Sequence, residues 1–155
     1  MRCRFLAIYV RCRRRLERAL GIDPVPKMSV AIVCTAILGV LLFGLGLCVS
    51  IARQRLGRVI GHDGSPIDPM HRLVRAHANT AEYAPFLAIL FLWHGAHQPP
   101  LWIAATIVVA TASRVLLVVG LLWISPLDKP NPARFVGALL TYLCGIILAG
   151  MMFAS

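Results

Sequence analysis

Four long apolar stretches decide what this chain can fold into. They run over about residues 30–52, 71–93, 101–124 and 134–154, and each matches the roughly 17–25 residues an α-helix needs to span hydrocarbon. Little polar sequence is left to coat them. Of the 155 residues 59% are hydrophobic, against about 45–50% in soluble domains, which excludes a large soluble protein with four buried helices. Lipid offers no water to unpaired backbone groups, so only helices or closed barrels cross it. The reading is an all-α integral membrane four-helix bundle, with short loops that make successive helices antiparallel.

The second stretch is unlike the others. It opens on Arg72, Arg75, Asn79 and Glu82, continues through Tyr83 and Pro85, and then runs apolar from Phe86 to Trp93. At 3.6 residues per turn Arg75, Asn79 and Glu82 share one face. Ionisable groups at bilayer depth are costly and normally mark a site or a buried network.

Depth ties this ladder to the third stretch. Glu82 lies ten or eleven residues from the start of the second stretch and Arg114 ten from the end of the third, both on the side of the basic loops and roughly 15 Å deep at 1.5 Å per residue. Opposite charges at equal depth are most economically explained as partners, since either alone would be desolvated without compensation. An architectural ion pair that fixes register is the plainer alternative to a ligand-directed one. Asn79 can donate and accept within the same network, while Arg72 and Arg75 lie nearer the mouth. Pro85 removes a donor and should bend the helix above Glu82. Ser113 could supply a hydroxyl, but serine within such helices commonly bonds its own backbone. No carboxylate cluster completes a histidine site, so metal binding is not expected.

The formal charge of +10 is gathered beside the membrane stretches, and this placement argues against nucleic acid as a partner. Eight of the sixteen basic residues fall in positions 1–27, five lie from Arg53 to Arg75, and Lys129 and Arg134 flank the last loop. The loop between the second and third stretches has neither Lys nor Arg. By the positive-inside rule loops 53–70 and 125–133 face the cytoplasm, and both termini lie outside. The basic leader, 1–27, would then sit on the wrong side, so the membrane domain is expected over 28–155 with Met28 as the natural start. The alternative is a leader that forms a short basic amphipathic helix on the membrane surface. Cys3, Cys12, Cys34, Cys48 and Cys144 form no C-x-x-C pair, and their odd number argues against a disulfide framework.

Loop chemistry marks the helix ends. Asp68-Pro69 suits an N-cap followed by the first helical position, Pro99-Pro100 opens the third helix, and 125–132 separates the third from the fourth. Small residues recur at Gly39, Gly44, Gly46 and Ser50, and again at Gly137, Thr141, Gly145 and Ala149. Such faces permit close helix approach in lipid.

The run Arg75-Ala-His-Ala-Asn79-Thr-Ala-Glu82-Tyr83-Ala-Pro85 resembles the second-helix signature of the MAPEG superfamily, the membrane-associated proteins in eicosanoid and glutathione metabolism. Arg114 with Gly120 is similar to the third span of its small bacterial branch. The resemblance covers Met28 to the C-terminus. It implies a homotrimer in a bacterial inner membrane, with glutathione between protomers near the cytoplasmic side. By the family pattern Arg75, Asn79, Glu82 and Tyr83 would hold glutathione, with Arg114 lining its site; Arg72 joins them from its place at the mouth, where it faces an anionic ligand. The implied reaction is attack of a glutathione thiolate on a lipophilic electrophile or hydroperoxide drawn from membrane lipid. Two departures weaken the activating half: Leu117 and Leu121 stand where better understood members carry tyrosines, and no arginine ends span three. Arg134, expected at a helix N-terminus, and Arg114 are then the candidate catalytic residues, with Tyr83 as a further donor. A catalytically silent auxiliary or structural subunit is the competing reading, ahead of a lipid- or small-thiol-binding protein.

Overall fold

The computed structural model describes residues 30–61, 64–97, 99–124 and 127–153. The basic leader and the proposed start at Met28 lie outside them. Four helices follow one another: α1 (Val30–Leu56), α2 (Pro69–Ala96), α3 (Leu101–Val119) and α4 (Pro132–Phe153), with a π-helical turn (Gly120–Ile124) continuing α3. No strand occurs among the described residues. The expected all-α four-helix bundle is what forms.

Three of the helices are long and apolar enough to cross a membrane: α1, α3 with its π turn, and α4. Helix α2 has 28 residues, but the ladder places its composition outside that set. Each apolar helix buries only a stripe. On α1 the buried residues are Ala31, Cys34, Leu38, Leu45 and Val49, spaced three, four, seven and four apart, while Val40, Phe43 and Leu47 point outward. Outward apolar side chains in such numbers suit a bundle solvated by hydrocarbon.

Helix ends follow local chemistry. The Asp68 carboxylate accepts from the backbone N–H groups of Met70 (3.1 Å) and His71 (3.2 Å), with Pro69 at the first helical position. Gly57 closes α1 at φ 62°. Bonds from Gly57 N to Gln54 O and Arg58 N to Arg53 O complete a Schellman cap, which needs the left-handed conformation that glycine adopts freely.

Helix α1 packs along α2, and α3 along α4; α1 also meets α3, and α2 touches both α3 and α4. Gly137 allows the α3–α4 approach, because a Cβ there would lie 2.9 Å from Leu117 N and Ser113 O. Thr141 is buried on the same stripe, whereas Gly145 and Ala149 line a groove toward α2. The expected packing face of α4 is therefore real over its first half. On α1, Gly39 and Gly44 face open space and only Gly46 is tightly contacted, by His77.

The apolar core has two parts. One joins Leu38, Leu87, Phe91, Ile107 and Leu148 near the end away from the basic loops. The other joins Leu45, Ala76 and Val118 near the basic end. Between them lies the polar level that contains Arg114.

Candidate functional site

Helix α2 splits the ladder in two. Successive residues turn about 100°, so Arg72 and Asn79 nearly align, Arg75 and Glu82 nearly align, and the two pairs stand about 60° apart. The first pair turns toward α3. The second is exposed on the outside of the bundle. The single face expected for Arg75, Asn79 and Glu82 is thus two adjacent faces with different surroundings.

Asn79 meets Arg114, the largest side chain enclosed in the bundle, at 1% exposure. Arg114 Nη2 donates to the Asn79 carbonyl (2.9 Å) and to its side-chain Oδ1 (2.8 Å). This corrects the expected Glu82–Arg114 pair. Glu82 faces outward, and the amide one turn away supplies the acceptors. An amide satisfies guanidinium donors without supplying a counter-charge of its own. Its Cζ lies 5.3 Å from the centre of the Tyr83 ring, within cation–π range. Arg114 Nε is buried without a hydrogen-bond partner.

Tyr83 also meets a residue that sequence reasoning did not select. Tyr142 of α4 places its hydroxyl 3.4 Å from that of Tyr83, with ring centres 5.5 Å apart. Both open on a groove of about 470 Å³ between α2 and α4, walled by Phe86, Ile146 and Ala149. Tyr142 stands five residues beyond Gly137 on a mostly apolar helix, and its hydroxyl was the available signal. The α2 helix continues through Pro85.

Arg72 and Arg134 go elsewhere. Arg72 Nε donates to the Leu121 carbonyl of the π turn (3.0 Å). Arg134 bonds the loop carbonyls of Leu127 (3.3 Å) and Lys129, while Leu127 N reaches Pro66 O in the first loop (3.1 Å). The guanidinium of Arg134, the expected activating group, thus makes its hydrogen bonds to the last loop. Asn131, also unselected, caps α4 through Ala133 N (2.9 Å) and donates to Gly120 O (3.0 Å). The π turn frees carbonyls from the regular ladder, and Arg72 and Asn131 satisfy two of them.

Several other polar residues bond the backbone. Ser113 donates to Val109 O, and Thr80, Thr111 and Thr141 bond the carbonyl one turn back. His94 donates through Nε2 to Leu148 O at 2.9 Å, pinning α2 to α4. Among the described residues no group of histidine, cysteine or acidic side chains could hold a metal ion.

The MAPEG family profile matches residues 31–154. This chain belongs to the MAPEG family. The match spans all four helices, so the Arg114–Asn79 level and the outward Arg75–Glu82 pair are features of a MAPEG membrane protein. Comparison with curated proteins and with solved structures finds no match to the chain.

Proposed function

We propose that this MAPEG protein is a membrane glutathione-dependent transferase or peroxidase that works as a homotrimer on a lipophilic electrophile or hydroperoxide. One observation carries the reading. Arg75 and Glu82 stand exposed on a helix face that also presents Phe86 and Ile89 to the outside. A charge facing hydrocarbon at the bilayer centre costs about 2.5–3.5 kcal/mol even on the most lenient scale. A second protomer packed there, enclosing a polar ligand of mixed charge, removes that cost. Glutathione fits the pair of signs: its carboxylates suit Arg75 and its ammonium suits Glu82.

The Tyr83 and Tyr142 hydroxyls supply the donors that Leu117 and Leu121 lack. A thiolate beside them would accept their hydrogen bonds and feel the nearby Arg114 cation, which lowers the thiol pKa and raises the reactive fraction. The thiol proton leaves to solvent, the sulfur forms the new bond to the electrophilic carbon, and the displaced electron pair departs with the leaving group. With a hydroperoxide the thiolate attacks the terminal oxygen, the O–O bond breaks and the alkoxide leaves as the alcohol after taking a proton from solvent. The sulfenic acid left on sulfur then condenses with a second glutathione thiol to give the disulfide and water. The apolar α2–α4 groove offers the second substrate a path from the bilayer.

Kinetics of purified protein test this. Tyr142→Phe should lower kcat with little change in glutathione affinity, and Glu82→Ala should weaken glutathione binding. Full turnover in both variants would overturn the reading. The silent-subunit alternative has one observation in its favour, the commitment of Arg134 to loop carbonyls. It predicts glutathione binding without turnover, or neither.

A further inference from the structure

A second, larger groove runs along the other side of α2, between α1, α2 and α3. It encloses about 1100 Å³, at the upper limit of pockets for drug-sized ligands. Its wall on α1 extends from Ile32 to Cys48, about 24 Å at 1.5 Å per residue. It is apolar along this length except at the basic end, where Arg72 and Trp123 enter the lining. Arg72 is held by its Nε bond to Leu121 O, yet its Nη2 is buried without any hydrogen-bond partner. A guanidinium donor in that state calls for an acceptor the protein does not provide. Trp123 is largely exposed beside it, and tryptophan favours the depth of lipid headgroups.

We propose that this groove is a binding site for an anionic membrane phospholipid, with an acyl chain along α1 and the phosphate on Arg72. Charge complementarity selects the occupant. Long apolar walls take the chain, the cation meets the phosphate, and the tryptophan lies at the headgroup boundary. A zwitterionic lipid would bring its own ammonium to the same arginine and gain less. The site is separate from the outward Arg75–Glu82 face and does not depend on glutathione. It reassigns Arg72 from the glutathione site to lipid.

Native mass spectrometry of delipidated protein, titrated with phosphatidylglycerol and with phosphatidylcholine of the same chains, tests the assignment. One well-placed arginine should favour phosphatidylglycerol by about fivefold or more. Arg72→Gln should abolish that preference, whereas Arg55→Gln, an exposed arginine at the same end, should leave it intact. Gly44 lines the groove, and a Cβ there meets nothing within 4 Å. Gly44→Leu should therefore fold and weaken both lipids by obstructing the chain. Equal affinity for the two lipids, an unchanged preference in Arg72→Gln, or an altered oligomeric state in Gly44→Leu would overturn the proposal; the last would mark the groove as a contact between copies of the chain.

Discussion

Arg114 is enclosed by the bundle and answered by an amide, a choice with energetic consequences. A carboxylate partner would neutralise the cation, while Asn79 satisfies two of its bonds and supplies no counter-charge of its own. Hydrogen bonds to charged groups contribute about 1.5–3 kcal/mol, so Asn79→Ala should destabilise the protein within that range, read as a lowered thermal midpoint in detergent. Glu82→Ala should leave the protomer's own stability nearly unchanged, because Glu82 is exposed. Equal destabilisation by both would restore the ion pair that depth arithmetic suggests. Sequence put Glu82 and Arg114 at equal depth with Asn79 one turn shallower, and the structure bonds Arg114 to Asn79. Sequence could not choose between two acceptors one turn apart, because that depends on how α2 is rotated against α3. Arg134 shows the same limit: its position near the start of a helix was legible, but the carbonyls that occupy it come from loop geometry. Arg134→Ala should lower stability by loosening the contacts to Leu127 and Lys129, with turnover per folded molecule preserved. A selective loss of kcat would return it to the chemistry.

The helices were legible because their causes are local. Apolar length fixed α1, α3 and α4, and Asp68-Pro69 fixed the start of α2 through a cap now seen bonded to two N–H groups. The π turn was not legible. It is maintained by partners from elsewhere in the chain, Arg72 on α2 and Asn131 before α4, and neither contact follows from spacing. Asn131 both caps a helix and holds this turn. Asn131→Ala should therefore exceed the ~1 kcal/mol typical of a lost cap, as measured by thermal unfolding against a cap-only variant such as Asp68→Ala. Gly137 tests the other close contact. Its substitution by Ala places a methyl against the α3 backbone and should cost about 1–3 kcal/mol as overpacking, whereas Gly39→Ala, facing open space, should be neutral. Equal tolerance at both positions would contradict the α3–α4 packing described.

At the scale of the whole molecule the polar level divides two apolar cores and reaches the outside on one face of α2. A single protomer leaves Arg75 and Glu82 there without enclosure, which is the physical ground for the proposed trimer and for glutathione between its subunits. Family membership was legible from the Arg75-to-Pro85 run, since residues at fixed helical spacing survive in sequence. Tyr142 was not, because its contact with Tyr83 spans 59 positions and only the fold brings them together. Native mass spectrometry in mild detergent should record three chains per particle, and a purely monomeric or dimeric species would count against shared sites. The most direct measurement is calorimetric titration of glutathione into the detergent-solubilised protein. The account predicts saturable heat that Glu82→Ala weakens. Millimolar glutathione giving neither heat nor a thermal shift would contradict it.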